Sequence, residues 1–127
     1  MKPSLLFIGK KKDFFCECAM EFVKLHFSEH EILLGKRGDP FPEETCWWSG
    51  DYIISYLSPW IIPESLLKRA NKASINFHPG PPEYPGIGCT NFAIYNKADV
   101  FGVTCHHMNP KVDTGQIIAV KRFPLYK

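Results

Sequence analysis

Short apolar runs, each fenced by glycine or proline, recur along this chain of 127 residues, and the first is followed at once by a segment with helical spacing. Leu5, Leu6, Phe7 and Ile8 form that first run, between Pro3 and Gly9. An apolar stretch so short and so bounded reads as a buried strand. Asp13 then offers a carboxylate as a helix N-cap, and Phe14, Phe15, Ala19, Phe22, Val23 and Leu25 recur at roughly helical intervals as far as Phe27. Strand followed by helix is the opening of an α/β unit.

The rest of the chain continues the alternation. Residues 31–34 form a second strand candidate, and residues 35–50, with Gly38, Pro40 and Pro42, read as loop, in which Trp47 and Trp48 are expected to pack. Residues 51–57 make a third strand. Ser58-Pro59-Trp60-Ile61-Ile62-Pro63 then bends the chain before a short helix at 64–70, with Pro63 near its first position. A fourth strand covers 74–77. It runs into a loop at 78–88 that holds four prolines and three glycines, too backbone-specific for a casual connector. A short helix near 91–95, a strand at 101–108, a turn at Asn109-Pro110 and a strand at 116–123 complete the order. The expected fold is α/β, a doubly wound and mostly parallel sheet in one domain, residues 1–127, with ligands beyond the carboxyl ends of the strands.

Composition narrows the functional classes. With 45% hydrophobic and 14% aromatic residues there is ample material for one core. Fifteen basic and thirteen acidic residues give a net charge of +2, so no broad field for nucleic acid is expected. Only Lys10, Lys11 and Lys12 form a run, which reads as a solvated edge or as a contact for an anionic substrate. No apolar stretch approaches the ~20 residues that span a bilayer, and the opening residues lack a secretory core, so a cytoplasmic protein without membrane contact is expected. The five cysteines, Cys16, Cys18, Cys46, Cys89 and Cys105, are odd in number and show no framework spacing, which favours reduced thiols.

The chemistry concentrates at the end of the fourth strand. Asn76 and His78 lie two apart, and residues at i and i+2 of an extended segment share a face, so an amide and an imidazole are expected to address one space. Asp113 follows 35 residues after His78, in the loop before the last strand. A carboxylate beside that imidazole would fix its tautomer and favour its charged form. Cys105, His106 and His107, with His78 and Cys89, suggest a metal set at first sight. Strand neighbours face opposite sides, however, and no paired metal-ligand spacing is present, so no metal site is expected. The loop glycines Gly80, Gly86 and Gly88 do not make a dinucleotide fingerprint.

Taken together, Ser74-Ile75-Asn76-Phe77-His78-Pro79-Gly80, Tyr84-Pro85-Gly86, Phe101-Gly102-Val103-Thr104 and Val112-Asp113-Thr114-Gly115-Gln116 resemble the pattern of the folate-dependent formyltransferases in order and spacing. The resemblance runs from about residue 52 to 124 and is faint before it. It implies a Rossmann-like core and transfer of a formyl group from 10-formyltetrahydrofolate to a primary amine. By position, Asn76 is similar to the family amide that hydrogen-bonds the formyl oxygen, His78 to the histidine that helps to stabilise that oxyanion or exchanges protons with the amine, and Asp113 to the partner carboxylate of that histidine. The same resemblance implies that the pterin end of the folate meets Leu57, Ser58, Trp60 and Ile61 in the turn after the third strand, and Asn109 and Val112 in the loop before Asp113. For Trp60 and Ile61, core packing and ligand contact both remain open.

The chain also departs from the family. The glycine-rich first turn that grips a ribonucleotide phosphate in one member is replaced here by Gly9-Lys10-Lys11-Lys12, which disfavours that substrate. Family members continue beyond the position of Lys127, so a short domain with incomplete substrate selection is expected. The Pro-Pro-Glu-Tyr-Pro-Gly loop and the Cys105-His106-His107-Met108 segment look most similar to members acting on nucleotide-linked amino sugars. An amino-sugar nucleotide is therefore the expected amine substrate, with a homodimer possible. The alternatives are a 10-formyltetrahydrofolate hydrolase, and a non-catalytic folate- or nucleotide-binding module completed by a partner chain.

Overall fold

The computed structural model describes residues 3–78, 100–108 and 117–124; the side chains of His78, of residues 100–103 and of residues 121–124 fall outside that description. In chain order the described elements are β1 (Ser4–Lys10), α1 (Phe14–His26), β2 (Glu29–Gly35), a 3₁₀ turn (Glu43–Trp47), β3 (Gly50–Tyr56), α2 (Glu64–Leu67), β4 (Ala70–His78), β5 (Val100–His107) and β6 (Ile117–Pro124). The expected helix near 91–95 and the loop at 79–88 lie outside the described residues. All six strands join one sheet in the order β2-β1-β3-β4-β5-β6. The pairs β1–β2, β1–β3 and β3–β4 are parallel, whereas β4–β5 and β5–β6 are antiparallel. A parallel half thus carries an antiparallel extension on its β4 side.

The two faces of β1 explain why this sheet is doubly wound. Leu6 and Ile8 face one way and join Ile53, Ile62 and Leu66, the last of these from α2. Leu5 and Phe7 face the other way and pack with Cys16 and Val23 of α1. A strand covered on both faces cannot alternate polar and apolar residues, which is why β1 is a continuous apolar run. Asp13 caps α1, its carboxylate accepting the Cys16 N–H at 2.9 Å. The helix then lies so close to β1 that a side chain at Gly9 would overlap Cys16 Sγ and the Phe7 ring.

Two local readings change in the folded chain. The 3₁₀ turn separates the adjacent tryptophans: Trp48 packs on the first core cluster, while Trp47 stays 79% exposed, with the Arg69 guanidinium 5.8 Å from its ring centroid. Successive residues in a three-per-turn helix point about 120° apart, so both could not face the core. β4 also begins four residues earlier than its apolar signal, because Ala70 pairs with Gly50 across an irregularity in the register. Asn71 and Lys72 are exposed there and carry no alternation to announce a strand.

Candidate active site at the carboxyl ends of β3 and β4

One row of paired residues crosses the sheet at the level of Asn76. Ile8 pairs with Ser55, Ser55 with Asn76, and Asn76 with His106. The row starts apolar in the middle of the parallel half and turns polar toward β5. Ser55, Ser74, Thr104 and His106 are the buried polar residues among those described, and they sit on the strands that surround Asn76. Burying polar groups in a sheet face is costly unless each is hydrogen-bonded, so the side chains along these strands need specific partners.

The bonds that hold this row are specific. Asn76 Nδ2 lies 3.3 Å from His106 Nε2, and His106 Nδ1 lies 2.9 Å from the His107 carbonyl oxygen. Ser74 Oγ donates to the Leu67 carbonyl at 3.3 Å, and the Met108 N–H donates to the Ser74 carbonyl at 2.8 Å, tying α2 and the end of β5 to β4. The backbone of His78 ends β4 in register with Thr104. Asn76 and His78 are therefore two residues apart on one unbroken strand, as expected. Asp113, Asn109 and Val112 lie outside the described residues. The chain leaves β5 at Met108, beside Ser74, and re-enters the sheet at Ile117, paired with His106.

The turn after β3 borders the same edge. Leu57 takes a left-handed backbone conformation, with φ of 54°, which an L-residue with a branched side chain adopts at a cost of about 1–2 kcal/mol. Ser58 Oγ accepts the Trp60 N–H at 3.1 Å and donates to the Trp60 carbonyl at 3.2 Å, closing a tight local turn. Trp60 turns inward. Its indole N–H donates to the Asp39 carbonyl at 2.9 Å, its ring meets Phe41 edge-on at 5.5 Å, and its six-membered ring occupies the space that a Cβ at Gly35 would need. Ile61 turns outward and is 69% exposed, while Ile62 behind it is buried. Trp60 thus braces the turn, and Ile61 is the apolar side chain that the turn presents.

The lysine run sits at the carboxyl end of β1 and is exposed throughout. Lys11 places its ammonium 4.0 Å from Asp39 Oδ2, an exposed pairing worth little by itself. Among the described residues no three His, Cys, Asp or Glu side chains gather as metal ligands, and no helix is long and apolar enough to cross a membrane. Burial pushes the Cys105 thiol above its ordinary value, so the cysteine paired with Phe77 on the opposite face is protonated rather than nucleophilic near neutral pH.

His106 is the functional candidate that sequence reasoning passed over. It lies in the middle of Cys-His-His, where a metal set was the natural comparison. The available signal was Thr104 and His106 at i and i+2, two polar residues on one face of a strand. Only the pairing of β4 with β5 puts that face beside Asn76.

Residues 48–127 match the formyl transferase family. The chain belongs to that family. Within it, the chain is 37% identical over 73 residues to a GDP-perosamine N-formyltransferase from Brucella melitensis, a match covering 57% of this chain and 28% of the relative. Among solved structures, HypX from Aquifex aeolicus in complex with tetrahydrofolic acid superposes with a TM-score of 0.79 at 23% identity, covering 99% of this chain and 22% of that one. An N-formyltransferase from Helicobacter canadensis, bound to folinic acid and dTDP-3-aminofucose, gives 0.76 at 21% identity, covering 97% and 53%. The six-stranded mixed sheet is thus the fold of these two structures, and the matched part of the chain spans about a quarter of the length of the Brucella relative.

Proposed function

We propose that this chain transfers a formyl group from 10-formyltetrahydrofolate to the amine of a nucleotide-linked amino sugar. The observation that carries the reading is the Ser55–Asn76–His106 row at the carboxyl edge of a sheet belonging to the formyl transferase family. The Brucella relative is named for GDP-perosamine, and the Helicobacter structure holds a folate together with an amino-sugar nucleotide, which supports that pair of substrates.

In this reading the amine nitrogen attacks the formyl carbon, giving a tetrahedral intermediate with an alkoxide and an ammonium. The Asn76 carboxamide donates to the alkoxide as charge develops, a contribution of about 3 kcal/mol for one well-placed donor. His78 takes the proton from the ammonium and returns it to N10 of the folate as the alkoxide collapses and the formyl C–N10 bond breaks, releasing tetrahydrofolate, and Asp113 orients that imidazole. The folate lies on the outward side of the turn Leu57–Ser58, with Ile61 as apolar wall and Asn109 and Val112 as its further contacts; Trp60 acts by holding the turn. The near balance of basic and acidic residues, +2 overall, supplies little of the phosphate neutralisation on which RNA binding depends, and a cytoplasmic setting in one-carbon metabolism and a homodimer complete the proposal.

The test is incubation with 10-formyltetrahydrofolate and either GDP-perosamine or dTDP-3-aminofucose, with the N-formyl product read by mass spectrometry. Formylated sugar is expected, falling about 100- to 1,000-fold in Asn76→Ala. Formate release without any amine identifies a hydrolase instead. Folate binding without either product, unchanged by Asn76→Ala, identifies a binding module.

A further inference from the structure

His106 is 3% exposed, on the strand next to Asn76, and both of its ring nitrogens are engaged. The His107 carbonyl oxygen, 2.9 Å from Nδ1, can only accept a hydrogen bond, so Nδ1 carries the ring proton. Nε2 then presents its lone pair. The atom it faces at 3.3 Å is Asn76 Nδ2, an amide nitrogen that can only donate. Asn76 has two chemically opposite ends of similar shape, and the ring discriminates between them.

We propose that His106 is a positioning residue that sets which way the Asn76 carboxamide points. A proton fixed on Nδ1 by a main-chain carbonyl selects the amide orientation with nitrogen toward Nε2. Because the two N–H bonds of a carboxamide lie in one plane about 120° apart, holding one on His106 fixes the direction of the other. The sheet supports this arrangement. The β5–β6 register shifts between Cys105 and His106, so that His106 pairs with Ile117 while Cys105 pairs with Ala119. An irregularity of this kind re-aims the side chain beside it. The inference rests on the proposed role of Asn76 as the donor to the formyl oxygen, but the orientation itself is a property of the folded chain.

Two substitutions separate this role from a merely structural one. Glutamine at His106 can place Oε1 near the position of Nε2 and still accept from Asn76, but it loses the contact to the His107 carbonyl. Asparagine can keep the contact near Nδ1 but is too short to reach Asn76. His106→Gln is expected to keep turnover within about threefold of wild type, while His106→Asn and His106→Leu lower kcat roughly 10- to 100-fold with little change in KM for 10-formyltetrahydrofolate. In an Asn76→Ala background, His106→Leu should cause no further loss.

An activity-independent measurement keeps the two proposals apart. In the ¹⁵N spectrum of the full chain, the Asn76 side-chain amide should show one hydrogen protected from exchange, and His106→Leu should abolish that protection while thermal unfolding shows a folded protein. Protection that survives His106→Leu, or asparagine rescuing turnover where glutamine does not, overturns the positioning role. If Asn76→Ala is fully active while the protection depends on His106, the positioning stands and the catalytic role of Asn76 falls.

Discussion

Replacing Gly35 by alanine tests whether the turn beside the site is braced as its contacts indicate. A Cβ at Gly35 would overlap the six-membered ring of Trp60. The indole has little room to retreat, because its N–H is bonded to the Asp39 carbonyl at 2.9 Å and Phe41 lies edge-on at 5.5 Å. If the ring stays, the core is overpacked at a cost of about 1–3 kcal/mol. If it moves, a hydrogen bond worth about 1 kcal/mol and part of an aromatic contact worth about 0.5–1.5 kcal/mol are lost. Both routes converge on roughly 2 kcal/mol. Urea unfolding followed by tryptophan fluorescence should therefore show the midpoint lowered by about 1 M, given a slope of ~2 kcal/mol per molar. Removing the obstacle should remove the penalty, so Gly35→Ala in a Trp60→Leu background should cost less than about 0.5 kcal/mol. The same penalty in both backgrounds would refute the bracing of the turn by this contact.

Three further outcomes follow from other parts of the chain. Asp13→Ala deletes the cap on the Cys16 N–H and should lower stability by about 1 kcal/mol, with Asp13→Ser recovering most of it in the same unfolding assay. Burial pushes the Cys16 and Cys105 thiols and the Tyr56 hydroxyl upward, so the folded chain keeps protons that the unfolded chain releases. Stability is then complete below the ordinary thiol range, near 8.5, and declines as pH rises through it toward the raised values; unfolding midpoints at pH 7.5 and 10 check the sign, and Cys16→Ala should flatten the decline. On the outer face of α1, Phe15, Phe22 and Leu25 are 66%, 60% and 80% exposed and recur at intervals of seven and three residues. That spacing suits a helix–helix seam, so sedimentation should show concentration-dependent pairing that is lost in Phe22→Glu/Leu25→Glu.

Much of this architecture can be read from residues whose physics is local. Leu5 to Ile8 must be a buried strand, and Asp13 must cap a helix, because each carries its own signal in four or five positions. The start of β4 at Ala70 carries none: Asn71 and Lys72 join the strand only because β3 is there to pair with them. Asn76 was accessible through its i+2 relation to His78 and through the family pattern. His106 was not, since its proposed role depends on which residue of β5 faces Asn76, and that register is set by the antiparallel pairing of strands separated by 21 residues outside the description. Trp60 and Ile61 show the same limit at short range. Adjacent apolar residues in a turn are equivalent on paper until Gly35 and Asp39 draw one of them inward.

The left-handed Leu57 has an energetic meaning for any molecule that settles on this turn. A leucine persists in that conformation only when its neighbours over-determine it, here through the Ser58–Trp60 bonds and the clamped indole. The ordering entropy of the segment is consequently spent during folding rather than at the moment of association. A heterocycle meeting Ile61 would find a surface already set, and its association should show a small entropic penalty and little change in the backbone from 57 to 62.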